Sequence, residues 1–322
     1  MRKTCLDMVY ELAKADDRIV FIGSDLGPGT LQQFKAEMPE RFFMEGVSEA
    51  TIVGMAAGLA MEGKIPYVNT IATFLTRRCF EQIVVDLCLH QANVRLIGNG
   101  GGLVYAPLGP THLAIEDVAI LRALPHMTIV APADAKEMRR LMPATVNYPG
   151  PMYIRLAKGN DLIVTRDDRP FEIGKAVVMR EGSDALLVTT GVTLQVALEA
   201  AEMLGGQGLT VGIVHLPTIK PLDTEAVLRM AAAVPVVVTV EEHSVIGGLG
   251  SAVAEVVAEA SFRPARRFKR IGLPDTFPDR YGSQAGLMKQ YAITSEQVAS
   301  TITQLLNDAT QGVHLLTDPL SR

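Results

Sequence analysis

The chain has 322 residues, 48% of them hydrophobic and 20% charged, with a formal net charge of -5. At roughly 150 residues per domain, that length makes two globular domains with full cores and rules out a small disulfide-stapled scaffold. The balance also excludes a disordered chain and leaves no bulk positive charge for holding nucleic acid. Cys5, Cys79 and Cys88 are odd in number and lack C-x-x-C spacing. Neither a disulfide framework nor a zinc site is expected, and the thiols read as core filler in a reducing compartment. The N-terminal stretch MRKTCLDMVYELAKADD breaks its apolar residues with charge, where a secretory leader would run about 7–15 apolar residues. The longest stretch without Asp, Glu, Lys or Arg, Leu96–Ile115, is too rich in glycine and proline to span a bilayer. A soluble, cytoplasmic protein with no membrane or nucleic-acid partner is expected.

Strand-length apolar runs alternate with stretches of helical period, the pattern of parallel sheets covered by helices. In the first half, strands are expected at Arg18–Ser24, Ile65–Asn69, Val94–Gly98, Thr128–Ala131 and Met152–Leu156. Helices are expected at Thr4–Ala15, Glu49–Met61, Phe74–Gln91, Ala114–Leu124 and Ala135–Asn147. The charged segment Gly159–Gly174 carries no apolar period and reads as an interdomain connection. Beyond it, strands near Ala185–Thr190, Thr210–Leu216, Val236–Val240 and Arg267–Ile271 alternate with helices near Thr193–Leu204, Asp223–Ala233, Leu249–Ala260 and Ser295–Leu306. The reading is two consecutive open α/β domains, over residues 1–165 and 175–306, followed by a tail at 307–322.

Several segments carry residues suited to chemistry. GSDLGPG (Gly23–Gly29) lies at the carboxyl end of the first strand, where open α/β sheets bind ligands, although Asp25 also reads as a turn former. Glu49 opens a helix of small and apolar residues, EATIVGMAAGLAM. Its carboxyl group either complements the helix dipole or, in a desolvated place, shares a proton with a ligand nitrogen. GNGGGLVYAPLGPTH (Gly98–His112) is a long loop whose glycines let the backbone approach a ligand; His112 closes it, either as a structural histidine or as a proton-handling one. In TFLTRRCFEQI, Phe74 and Phe80 fit a core, and at least one of the adjacent arginines Arg77 and Arg78 must be solvated or reach a neighbour. The glycine run of EEHSVIGGLGSAV (Glu241–Val253) suits either a phosphate cradle or close helix–strand packing.

Five segments in order, GSDL, EGVSEATIVGMAAGLA, TFLTRRCFEQI, GPTHLAIEDVAILRALPHMTIVAPAD, and TGVTLQVALEAA with EEHSVIGGLGSAVAE, resemble the carboxy-terminal half of transketolases, or the separate second subunit of a split transketolase, over about residues 1–306. Related chains are 1-deoxyxylulose-5-phosphate synthases and the β subunits of 2-oxo acid dehydrogenases; a non-catalytic scaffold subunit that keeps the fold is a further alternative. The resemblance implies a pyrimidine-binding domain, a transketolase carboxy-terminal domain, and thiamine diphosphate with Mg²⁺. It also implies transfer of a two-carbon ketol unit from a ketose phosphate to an aldose or aldose phosphate. Glu49 then matches the glutamate that hydrogen-bonds the aminopyrimidine, Phe74 the aromatic stacked on it, Phe80 a second wall, Asp25 a cofactor-side aspartate, and His112 the histidine that bonds donor-sugar oxygens. IRLAKGN places Lys158, with Arg155, where the family often has a phosphate-binding arginine. The chain contains no Asp-Gly dipeptide, so the G-D-G…N segment that holds Mg²⁺ and diphosphate is expected on an amino-terminal partner subunit, in an α2β2 assembly. Leu108 stands where transketolases commonly carry an acid, which implies an atypical sugar, such as a branched, deoxy or sulfonated one.

Overall fold

The computed structural model describes residues 1–24, 31–157, 161–166 and 170–310; Asp25, Lys158 and residues 311–322 of the expected tail lie outside the described residues. Two α/β domains are present. The first sheet contains β1 (Ile19–Gly23), β2 (Phe42–Met44), β3 (Ile65–Ile71), β4 (Arg95–Asn99), β5 (Thr128–Val130) and β6 (Met152–Leu156). The second contains β7 (Val177–Arg180), β8 (Ala185–Thr189), β9 (Val211–His215), β11 (Val236–Ser244) and β12 (Arg267–Leu273), while β10 (Thr218–Lys220) leaves it for the first. The orders are β10-β5-β6-β4-β3-β1-β2 and β12-β11-β8-β9-β7. All pairings are parallel except β10 on β5 and β7 on β9.

Successive side chains on a strand point to opposite faces, so each sheet feeds two cores. On β1, Ile19 and Phe21 enter one core with Phe34, Tyr67 and Leu141, whereas Val20 and Ile22 enter the other with Ile52, Val68 and Leu75. On β8, Ala185 and Leu187 face one layer and Leu186 and Val188 the other. All three cysteines are free and buried in this packing, and burial pushes the Cys5 and Cys79 thiols up to about 12. Among the described residues no helix is long and apolar enough to cross a membrane.

The helix expected at Glu49–Met61 has those bounds, but it is not buried all round. Ile52, Val53, Ala56 and Ala57 enter the core, while Met61 stays 59% exposed. An apolar face therefore remains open in the single chain. The helix expected at Phe74–Gln91 is broken instead, into Ala72–Arg77, Phe80–Gln82 and a π-helical stretch Ile83–Leu89. Cys79 leaves helical geometry at the break (φ -106, ψ 13), which turns Arg78 back over Phe74. The second half also adds an unexpected strand: β10 belongs to the first sheet, paired with β5 through Thr218↔Val130. The helix Ser295–Thr310 runs into the segment assigned to a tail.

Candidate active site

The carboxyl ends of β1, β3 and β4 meet in a buried polar cluster. Ser24 Oγ donates to Thr70 Oγ1 at 2.9 Å, and Asn99 Nδ2 donates to Asn69 Oδ1 at 2.6 Å and to the Thr70 carbonyl at 3.1 Å. Nothing in a one-dimensional reading joins these four residues; only parallel pairing of three strands does. Glu49 sits in the first turn of its helix, 3% exposed, where the helix dipole favours a carboxylate.

Glu49 is the first member of a contact series. Its Oε2 accepts a hydrogen bond from Arg78 Nη1 at 2.9 Å. The Arg78 guanidinium lies over the Phe74 ring, 4.0 Å from its centroid. On Phe74 the His112 imidazole packs edge-on, with centroids 5.0 Å apart and planes at 63°. Glu49, Phe74 and His112, 63 positions apart at their extremes, thus share one place. Phe80 is partly buried against the core beneath this helix. Arg77 also reaches a neighbour: it pairs with Glu116 and donates to the Leu113 carbonyl at 3.0 Å, bracing the end of the His112 loop. Leu108 is 47% exposed on the short turn Ala106–Leu108 of that loop, with its apolar side chain open to solvent.

These residues suit an aminopyrimidine. A flat, delocalised cation stacked on an aromatic face, with an N–H aimed at a carboxylate, uses the same two recognition elements that such a ring needs. Arg78 is that cation here. No comparable match exists for a metal: among the described residues no group of three or more His, Cys, Asp or Glu side chains converges as a metal site.

Geometry corrects one expectation and bears on one choice left open. Arg155, expected to bind substrate phosphate, is instead taken up inside the protein: it is 9% exposed, with Nε donating to the Asp117 carboxylate at 2.8 Å and Nη2 to the carbonyls of Ala114 and Glu242 at 3.0 Å each. Burial works to raise the Asp117 carboxyl, yet Arg155, His243 and the Tyr153 hydroxyl together hold it below the usual aspartate value. For the glycine run after β11 the structure favours close packing over a phosphate cradle. Glu241 already caps the helix Leu249–Glu259, accepting from Leu249 N at 2.7 Å and Gly250 N at 2.8 Å, and a Cβ at Gly248 would lie 2.1 Å from Glu241 Oε2. Close packing explains those glycines.

Glu241 and Glu242 are the buried carboxylates that sequence reasoning passed over. Burial pushes each up to about 7 against the pull of its backbone hydrogen bonds and of Arg155. The available signal was acid continuing straight from the apolar run VVVTV into EEH, which extends β11 to Ser244.

Two α/β domains, the first gathering a carboxylate, an aromatic face and a histidine at its strand ends, define a pyrimidine-binding domain joined to a transketolase-type C-terminal domain. Residues 1–161 match the transketolase pyrimidine-binding domain and residues 174–298 the transketolase C-terminal domain. The chain belongs to the transketolase family. It is 39% identical over 292 residues to the 6-deoxy-6-sulfo-D-fructose transketolase subunit SqwH of Clostridium sp. (strain MSTE9), covering 88% of this chain and 91% of that one. It is 36% identical over 307 residues to an apulose-4-phosphate transketolase subunit of Phocaeicola vulgatus, covering 95% and 97%. It is also 38% identical to the 1-deoxy-D-xylulose-5-phosphate synthase of Syntrophotalea carbinolica, covering 92% of this chain but 46% of the synthase. Among solved structures, a split-gene transketolase described as an inactive β4 tetramer superposes with a TM-score of 0.86 at 36% identity, over 95% of this chain and 97% of that one.

Proposed function

We propose that this chain is the second subunit of a split transketolase, transferring a two-carbon ketol unit from a ketose phosphate or similarly charged ketose to an aldose or aldose phosphate. Thiamine diphosphate is the cofactor in this reading. An amino-terminal subunit supplies the diphosphate and Mg²⁺ site, completing an α2β2 assembly. One observation carries the proposal: Glu49, Phe74 and His112 stand in a single contact series at the strand ends. The relatives named for subunits support it, as does the apolar helix face left open beside Glu49.

Thiamine diphosphate, when bound, supplies a thiazolium that stabilises negative charge on carbon. The remaining work falls to side chains. Glu49 would share its carboxyl proton with a ring nitrogen of the pyrimidine, held for that bond by its fixed position in the first turn of its helix. Phe74 would hold the ring by stacking, with Phe80 as a second wall and Asp25 beside the cofactor. His112, packed edge-on against Phe74, would donate to oxygens of the donor sugar where charge develops. Lys158 is the remaining candidate for the anionic end of the sugar, since Arg155 is engaged elsewhere. Leu108 leaves the sugar pocket an apolar wall. The relatives named for a deoxysulfo sugar and for apulose 4-phosphate support a donor other than a common pentose phosphate.

The test is reconstitution with the amino-terminal subunit. The isolated chain is expected to bind thiamine diphosphate weakly and to transfer nothing, and adding the partner is expected to restore both. Glu49→Gln in the reconstituted enzyme is expected to lower turnover about a hundredfold or more while binding suffers less. Robust turnover by the isolated chain, or proton exchange at the thiazolium carbon that is unaffected in Glu49→Gln, overturns the proposal.

A further inference from the structure

The loop that ends in His112 is fastened at its start by the other domain. Leu103 N donates to Glu242 Oε1 at 2.7 Å across the domain joint. Gln284 Nε2, at the head of the helix Gln284–Gln290, holds both oxygens of that carboxylate at 3.0 Å. Glu242 itself is 3% exposed, and its backbone carbonyl is gripped by Arg155. Its carboxylate is therefore fixed from two sides before it meets the loop.

From Leu103 the loop continues through turns that share one spacing. Ala106 N donates to the Leu103 carbonyl at 2.9 Å, Gly109 N to the Ala106 carbonyl at 3.2 Å, and His112 N to the Gly109 carbonyl at 3.0 Å. Three hydrogen bonds thus relay the position of Leu103 to the backbone of His112, with Leu108 carried between them. Glycine is required where the second domain comes closest. Gly102 has φ +68, and a Cβ there would lie 2.6 Å from the Glu242 carboxyl carbon; Gly109 has φ +76, and a Cβ there would lie 2.6 Å from the Tyr281 ring.

We propose that Glu242 is a positioning residue through which the C-terminal domain sets the placement of Leu108 and His112, and hence the affinity for the donor sugar. The link to the sugar rests on the functional reading above; the link to the loop does not. A buried N–H left without its acceptor opens readily, so the placement of the loop from Leu103 onward depends on this carboxylate.

Hydrogen exchange of the full chain tests the anchor. Glu242→Leu is expected to speed exchange of residues 103–112 about tenfold or more while β4 and β6 keep their protection. Glu242→Gln, which retains an acceptor of the same reach, is expected to stay within about threefold of the parent. The milder Gln284→Ala is expected to give an intermediate increase in the same segment. In the reconstituted enzyme, Glu242→Leu is expected to raise KM for the donor about tenfold with a smaller change in kcat, and Glu242→Gln to rescue it. Unchanged loop exchange in both Glu242→Leu and Gln284→Ala overturns the proposal, as does faster exchange spread evenly over β4 and β6. A loosened loop with unaltered donor KM refutes the positioning role. If the reconstituted wild type moves no ketol unit at all, the functional reading fails while the exchange data still judge the anchor.

Discussion

Replacing Asp117 with Asn asks whether Arg155 is structural. Asp117 is fully buried at the start of the helix Asp117–Arg122 and receives Arg155 Nε at 2.8 Å and the Tyr153 hydroxyl at 2.7 Å through one oxygen; the His243 ring lies 3.8 Å from the other. The amide keeps the shape and one acceptor but strands the Arg155 charge in a site that is 9% exposed. Breaking a buried pair by removing one partner costs about 3–5 kcal/mol, and the retained acceptor sets the expectation near the lower end, about 3 kcal/mol. The measurement is equilibrium urea unfolding of the isolated chain. The double variant Asp117→Leu with Arg155→Met is expected to recover at least half of the loss, because an apolar pair of similar volume leaves no stranded charge. A loss under about 1 kcal/mol for Asp117→Asn, the range of solvent-exposed pairs, would refute the reasoning. Arg155 would then reach water easily enough to meet a phosphate after all.

Three further outcomes are expected. Arg78→Met removes the guanidinium that lies on Phe74 and pairs with Glu49, so thiamine diphosphate is expected to bind the reconstituted enzyme as tightly or several-fold more tightly by calorimetry; a tenfold loss would make Arg78 a cofactor ligand instead. Leu108→Asp is expected to shift the ratio of kcat/KM values toward xylulose 5-phosphate and away from sulfonated or branched donors by about five- to 150-fold, and an unchanged ranking would remove Leu108 from specificity. Glu241 and Glu242 are pushed up to about 7 in the folded chain while their unfolded forms ionise near the ordinary glutamate value. The folded state therefore holds protons that the unfolded state has lost, and unfolding free energy is expected to fall as pH rises from about 4.5 to 7, by on the order of 1 kcal/mol or more per group, and to level off above that. Glu241→Gln should flatten that slope, and a stability that rises over the same window would reverse the assignment.

The fold was legible wherever a segment's own pattern decided it. The helix Glu49–Met61 and the strand Met152–Leu156 keep their expected bounds because a small-residue helix, and a short run apolar at every position but Arg155 and bounded by Pro-Gly-Pro on one side, allow little else. Short edge strands were missed for the converse reason. Phe42–Met44 and Val177–Arg180 are partly exposed and too short to show a period, and each is a strand only because a neighbour offers a ladder. The break after Arg77 was also hidden. Its sequence continues a helical pattern through Phe80 to Leu89, and the wide π-helical turn that reconciles the two segments is a packing result, not a propensity.

The site divides along the same line. Glu49, Phe74 and His112 could be picked out because each sits in a local motif, and the structure brings them together through Arg78. What the charged residues do was not visible, because their partners are remote. Arg155 stands in an otherwise apolar strand and looks like free positive charge, yet Asp117, 38 positions earlier, takes it up. Glu242 looks like one more acid ahead of a glycine run, yet its oxygen meets Leu103, 139 positions away. In a buried site, the charge written in a sequence is therefore not the charge offered to a ligand. It is what remains after both domains have made their pairs, and the Glu242–Leu103 bond makes the second domain part of the arrangement of the first domain's loop and not only a neighbour to it.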